Sequence, residues 1–143
     1  MDQFTKAYIE AALWSTNDES TPQGGEPMDK NYSANDIAPE EIAKIEADCA
    51  KFQAENADDI ANGCLIDHEE CNDIEYAGHD FWLTRNGHGC GFWDGDWEEA
   101  AGERLTASAK KFSAVDPYVG DDGKLYGFST FVPPTETTSN LNK

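Results

Sequence analysis

At 143 residues the chain has the length of one ordinary domain, enough to bury one core but not two. Its 29 Asp and Glu against 10 Lys and Arg leave a formal net charge of −19, which opposes unaided binding to nucleic acid or to an anionic membrane surface. An apolar content of 38%, with aromatics at 11%, excludes a solvated acidic tail.

No apolar run approaches the length of a membrane span, and MDQFTKAYIEAALW lacks the basic-then-apolar pattern of a secretion signal. A soluble cytoplasmic protein is therefore expected, with Cys49, Cys64, Cys71 and Cys90 as reduced thiols.

The first predicted helix runs from Phe4 to Trp14, with Phe4, Ala7, Tyr8, Ala11 and Ala12 on one face. STNDESTPQGGEP then reads as an exposed loop of turn formers and charge. The second helix opens with Pro39, a first-turn proline, and places Glu40 and Glu41 at the positive helix end. Ile42, Ile45, Cys49 and Phe52 trace its core stripe. It extends to about Asn56, with a further turn through Ile60, and Gly63 stops it.

Cys64 to Glu75 has little periodicity and five acids without a base, so a loop is expected. From Tyr76, two aromatic-rich runs, HDFWLTR and CGFW, flank Asn86-Gly87 and predict a hairpin. Asp96 is placed as the cap of a third helix, Trp97 to Phe112, with Ala101, Leu105, Ala109 and Phe112 as its stripe. A second hairpin is predicted from Tyr118-Val119, the turn GDDG and KLYGF. Residues 129–143 are rich in Ser, Thr, Asn and Pro and read as a flexible tail, leaving 1–128 as a single acidic domain. The expected class is α+β: three helices packed on a small antiparallel sheet made of two hairpins.

The charge is concentrated. Between Asp36 and Glu103 lie nineteen acids and three bases. Helix carboxylates at three- and four-residue steps stand about 5–6 Å apart, on the scale of phosphate spacing along a nucleic-acid strand. Glu40, Glu41, Glu46, Asp48, Glu55, Asp58, Asp59, Asp67, Glu69, Glu70, Asp73 and Glu75 are accordingly the candidate partner-binding residues, standing in for phosphates. The competing reading is a solvated face that keeps the protein soluble.

For catalysis the candidates are His79, Asp80, Arg85, Asn86 and His88, gathered around the first predicted hairpin. A His-Asp pair is found in metal-dependent phosphohydrolases, but adjacent strand residues point to opposite faces. The structural alternative has His79 bonded to a backbone group, Asp80 capping a turn and Arg85 paired with a carboxylate. Cys64, His68, Cys71, His88 and Cys90 offer zinc-ligand types, yet their spacing matches no standard ribbon or finger, so no cofactor is expected, and a structural zinc on Cys64, His68 and Cys71 is the alternative. Nucleophile-elbow, phosphate-loop and dinucleotide motifs are absent from the sequence.

AGHDFWLTRNGHGCGFWD, residues 77–94, resembles a family of small uncharacterised proteins of tailed bacteriophages and their prophages. The resemblance extends to FTKAYIEAALWSTND, to DIAPEEIAKIEADCAKFQAEN and to the LTASAKKF and YVGDDGKLYGF segments. It implies an accessory phage product acting in the bacterial host cytoplasm, and it implies no activity. It also implies that Cys90 stands where the family commonly has Ala, and that the acidic stretch from Cys64 to Glu75 is peculiar to this member. The leading expectation is an inhibitor that binds a basic DNA- or RNA-binding host protein and touches neither nucleic acid nor membrane itself. A small hydrolase or nuclease centred on His79-Asp80 and His88, and a virion-associated interaction protein, are the alternatives.

Overall fold

Asp2 accepts a hydrogen bond from the Thr5 amide (2.8 Å) and starts α1, Gln3–Ser15. The structure, a computed structural model, describes residues 1–20, 25–65, 73–88 and 91–129. The expected face of α1 is buried, and Thr5, Ile9 and Leu13 are buried as well, so this alanine-rich helix is enclosed on more than one side. Within the stretch expected as a loop, β1 (Asn17–Asp18) pairs antiparallel with β2 (Glu26–Pro27). Two short 3-10 turns, Met28–Lys30 and Ala34–Asp36, lead to the next helix.

The helix α2, Pro39–Glu55, begins at its proline as expected and buries Ile45, Cys49 and Phe52. α3, Ala57–Asn62, follows after one residue and ends at Gly63. α5, Glu99–Lys110, buries Ala101, Leu105 and Ala109. Its cap is Glu98, whose carboxylate accepts from the Ala101 amide (2.8 Å), in place of the expected Asp96. β3 (Tyr118–Val119) and β4 (Leu125–Tyr126) form the second predicted hairpin around GDDG.

The first predicted hairpin is instead a helix. α4 spans Asp73–Arg85, and Ala77, Gly78 and Asp80 to Arg85 are buried. A helix surrounded by protein shows no polar face, so its sequence carries no 3.6-residue period and its aromatics imitate a strand. Asn86-Gly87 ends this helix rather than turning a hairpin. Gly87 has φ +70°, its amide donates to Thr84 O (3.2 Å), and the His88 amide reaches back to Leu83 O (3.0 Å). That is the pair of hydrogen bonds of a glycine-terminated helix.

The described residues thus form a mixed helix-and-sheet fold, with five α-helices and two separate two-stranded antiparallel ribbons in place of three helices on one sheet. The predicted tail lies outside the described residues from position 130 onward.

One core cluster runs from Phe4 to Phe128. At its centre Phe52 and Phe81 stack with ring centroids 4.2 Å apart, and Phe4, Phe92 and Phe112 pack around them. α1 and α4 approach closely because Gly78 has no side chain. A methyl built there would stand 2.3 Å from Phe4 O and 3.0 Å from Ala7 Cβ. Gly78→Ala is therefore expected to destabilise the protein by about 1–3 kcal/mol, overriding the roughly 1 kcal/mol that alanine gains in a helix. Urea unfolding of the variant checks this; a stabilised variant would show that the two helices can separate without cost.

Candidate functional site

The polar residues of α4 divide into those that hold the fold and those that face outward. Arg85 has a fully buried side chain. It donates to Asp48 Oδ2 (2.9 Å), to the Tyr8 hydroxyl (3.0 Å) and to Ser113 O (2.9 Å), and it also bonds Phe112 O. Its guanidinium lies 5.7 and 5.6 Å from the Phe81 and Phe112 ring centroids. The Tyr8 hydroxyl in turn donates a hydrogen bond to Phe128 O (2.7 Å), and burial pushes its phenol far above the ordinary value. Arg85 is thus a buried hub paired with a carboxylate, and is not free to meet a substrate.

Asp80 is buried at 4% exposure and accepts from the Trp97 indole (2.8 Å), so it caps no turn. Burial pushes its carboxyl up to about 7, the Trp97 hydrogen bond draws it down, and the nearby Asp94 and Asp96 charges push it up further. The Asn86 amide donates to Trp82 O (3.0 Å) and its oxygen accepts from the Val115 amide (2.7 Å). His79 is half-buried, 3.6 Å from the Glu10 carboxylate of α1. His88 lines a groove beyond the end of α4 with Ser15 and Asn86. His79 and Asp80 therefore face different partners, and the five candidate catalytic residues do not converge on one point.

Of the zinc-ligand types, Cys64 is half-buried and its backbone bridges to Trp97, while His68, Cys71 and Cys90 lie outside the described residues. Among the described residues no three His, Cys, Asp or Glu side chains gather as metal ligands. Burial pushes the Cys49 thiol far above its ordinary value, which removes it as a nucleophile.

The acidic candidates separate in the same way. Glu41 and Asp48 are buried, at 5% and 3% exposure, and cannot stand in for surface phosphates. Glu41 Oε1 accepts the Gly127 and Phe128 amides (both 3.0 Å), tying the β3–β4 hairpin to α2. Asp48 accepts from Arg85 and from the Ser129 hydroxyl (2.6 Å). Asp59 is engaged at both oxygens by Arg104 (2.7 and 2.9 Å), whose hydrogen bonds hold its carboxyl below the ordinary value.

Glu40, Glu46, Glu55 and Asp58 are exposed along α2 and α3, while Asp73 and Glu75 are half-buried in the first turn of α4. Asp67, Glu69 and Glu70 lie outside the described residues.

The fold adds carboxylates that the candidate set lacks. The Leu65 amide donates to Asp96 O (2.8 Å) and the Glu98 amide to Gly63 O (2.6 Å), laying 96–98 antiparallel against 63–65. The Tyr76 hydroxyl bonds the Asp96 carboxylate. Asp94, Asp96 and Glu98 are thereby carried to the end of α3, with Asp96 against Tyr76 in the first turn of α4. The sequence signal was the run DGDWEE, four acids in six residues.

No helix of the described residues is long and apolar enough to cross a membrane. No family model, curated protein or solved structure matches the chain.

Proposed function

We propose that the chain is a phage accessory protein of the bacterial cytoplasm that binds and inhibits a basic nucleic-acid-handling host protein, its carboxylates taking the place of phosphates. The observation that carries this reading is the exposed acidic surface of α2, α3 and α5. Glu55 and Asp58 stand beside Asp59, which already engages Arg104 of α5, and Glu99 and Glu103 are exposed on α5. Carboxylates fixed on packed helices present a preorganised negative surface, which steers a basic partner and makes its binding sensitive to salt. The hydrolase reading gains nothing comparable, since Asp80, Arg85 and Asn86 are held inside the fold by Trp97, Asp48 and Val115.

The test is retention of host proteins on the immobilised chain, eluted by a salt gradient and, separately, by duplex DNA. A nucleic-acid-binding enzyme is expected to elute with both. The combined variant Glu55→Gln, Asp58→Asn, Glu99→Gln and Glu103→Gln is expected to lose at least tenfold in affinity for that enzyme, with a shallower salt dependence. Unchanged retention of the variant at every salt concentration would end the proposal.

A further inference from the structure

The β3–β4 hairpin carries two tyrosines on one face. Tyr118 and Tyr126 are direct register partners, and their ring centroids lie 5.8 Å apart with the planes at 22°. Each ring lies over a glycine that follows the opposite strand. A methyl built on Gly120 would stand 2.6 Å from Tyr126 Cε1, and one built on Gly127 would stand 3.1 Å from Tyr118 Cδ1. The Tyr126 hydroxyl donates to Asp122 Oδ2 (2.6 Å), which fixes the outer end of that ring. The hairpin is tied to α2 by Glu41 and by the Ala38 amide, which donates to Leu125 O (3.1 Å). Tyr118 is nevertheless 55% exposed, a large ring set in place on the outside of the fold.

Tyr118, Val119, Tyr126 and the turn from Gly120 to Asp122 line an open cleft of about 520 Å³. Asp121 and Asp122 are exposed at its edge, and Glu40, exposed in the first turn of α2, is close enough to act on Tyr126. The one base of the hairpin, Lys124, acts on Asp122. Charge separates the partners that can cover such a face. A nucleic acid would stack bases on the rings but bring its phosphates against the carboxylates. A second copy of the chain would bring a further −19 of like charge. A basic protein surface meets the rings and the carboxylates together.

We infer that this hairpin face is a docking surface for an arginine presented by a basic partner protein. A guanidinium is planar and weakly hydrated, so it stacks on a tyrosine ring and leaves its N–H donors for the Glu40 and Asp121 carboxylates. A lysine ammonium, compact and strongly hydrated, gains less from the rings. The inference rests on the reading of a basic partner given above and adds an anchor to it. Exposed carboxylates steer and select a partner more than they hold it. Rigid aromatic side chains hold it, because little freedom is lost when they are covered. Glu40 and Glu55 lie at opposite ends of α2, about 22 Å apart along the helix. The hairpin and the acidic surface of α3 and α5 therefore touch separate parts of one partner.

The experiment is an amide NMR titration of the full chain with two end-blocked peptides of equal charge, one alternating arginine with serine and the other lysine with serine. Single-stranded oligothymidylate is titrated separately. Saturable shifts centred on Tyr118, Gly120, Asp121 and Tyr126 are expected with the arginine peptide, which should bind there about threefold tighter than the lysine peptide. Tyr118→Leu keeps apolar cover over Gly127, so its urea midpoint should stay near the parent's. It should lose the preference for arginine while the salt dependence is unchanged, since no charge is removed. Equal binding of the two peptides, or a folded Tyr118→Leu variant that keeps the preference, would overturn the inference. Shifts at the tyrosine pair with oligothymidylate, or on concentrating the chain alone, would overturn it too, giving the face to a nucleic acid or to a second copy. A host enzyme released by the Glu55, Asp58, Glu99 and Glu103 substitutions but held equally well by Tyr118→Leu would remove the hairpin surface and leave the inhibitor reading. Arginine-specific binding at the hairpin, with no basic host protein retained, would do the reverse.

Discussion

Arg85→Met is expected to cost about 3–5 kcal/mol of stability, because it strands the buried Asp48 carboxylate without a countercharge. The loss goes beyond one ion pair. The same guanidinium satisfies Ser113 O and Phe112 O, and it supports the Tyr8 hydroxyl that reaches Phe128 O. Methionine replaces the apolar stem but none of those donors. Equilibrium urea unfolding at pH 7 measures the effect, and a loss under about 1 kcal/mol would place Arg85 among surface pairs in energetic terms. A cycle with Asp48→Asn separates the coupling from the shared damage. Part of the Arg85→Met penalty should vanish in the double variant, since the charge left without a partner is then gone.

Asp80→Asn should act in the opposite direction. Burial raises the Asp80 carboxyl to about 7 in the fold, against about 4 in an unfolded chain. The folded state therefore keeps its proton where the unfolded state has already lost it. Stability contributed by this group is fully present below about pH 4 and is lost as pH rises towards 7, by roughly 2–4 kcal/mol. Asparagine keeps an oxygen for the Trp97 indole and never carries the charge that Asp94 and Asp96 oppose. The variant should match the parent at about pH 4 and exceed it by that amount at pH 8. Parallel stability curves for the two proteins from pH 4 to pH 8 would show that Asp80 is charged at no cost.

These two residues also show how far the sequence can be read. α2 and α3 were legible because Pro39 and Gly63 are local signals that act on their own backbone, and β3–β4 was legible from its GDDG turn. α4 was not, because a helix enclosed by aromatic neighbours offers no contrast between faces. Its end was misread for a related reason: Asn-Gly supplies a positive φ equally well to a hairpin turn or a helix terminus, and only the preceding element decides.

The acidic candidates failed in a more instructive way. Glu41 and Asp48 fall on the stripe of Ile45, Cys49 and Phe52 at steps of three, four and seven residues. Helical geometry therefore already put them on the buried face. Their partners, Arg85, Phe128 and Ser129, lie 37 to 87 residues further along, where no local pattern connects them. Glu55 falls on the same stripe, three residues after Phe52 and seven after Asp48, yet it is exposed as the last residue of α2, so helical phase alone does not separate the buried carboxylates from the free ones. The placing of Asp96 and Glu98 beside the end of α3 depended on a backbone bridge between Cys64 and Trp97 that only the fold supplies.

The Tyr8 to Phe128 hydrogen bond closes a loop of 120 positions, and Glu41, Asp48 and Arg85 are bonded into the same closure. During synthesis, α1 is made well before α4, the helix it packs against most. Its apolar flanks stay open until Asp73–Arg85 has left the ribosome, so assembly is governed by long-range encounters and not by stepwise growth along the chain. An early α1 without its partners is a sticky amphiphile, and the crowd of negative charge on the segments between then keeps unfinished chains apart from one another.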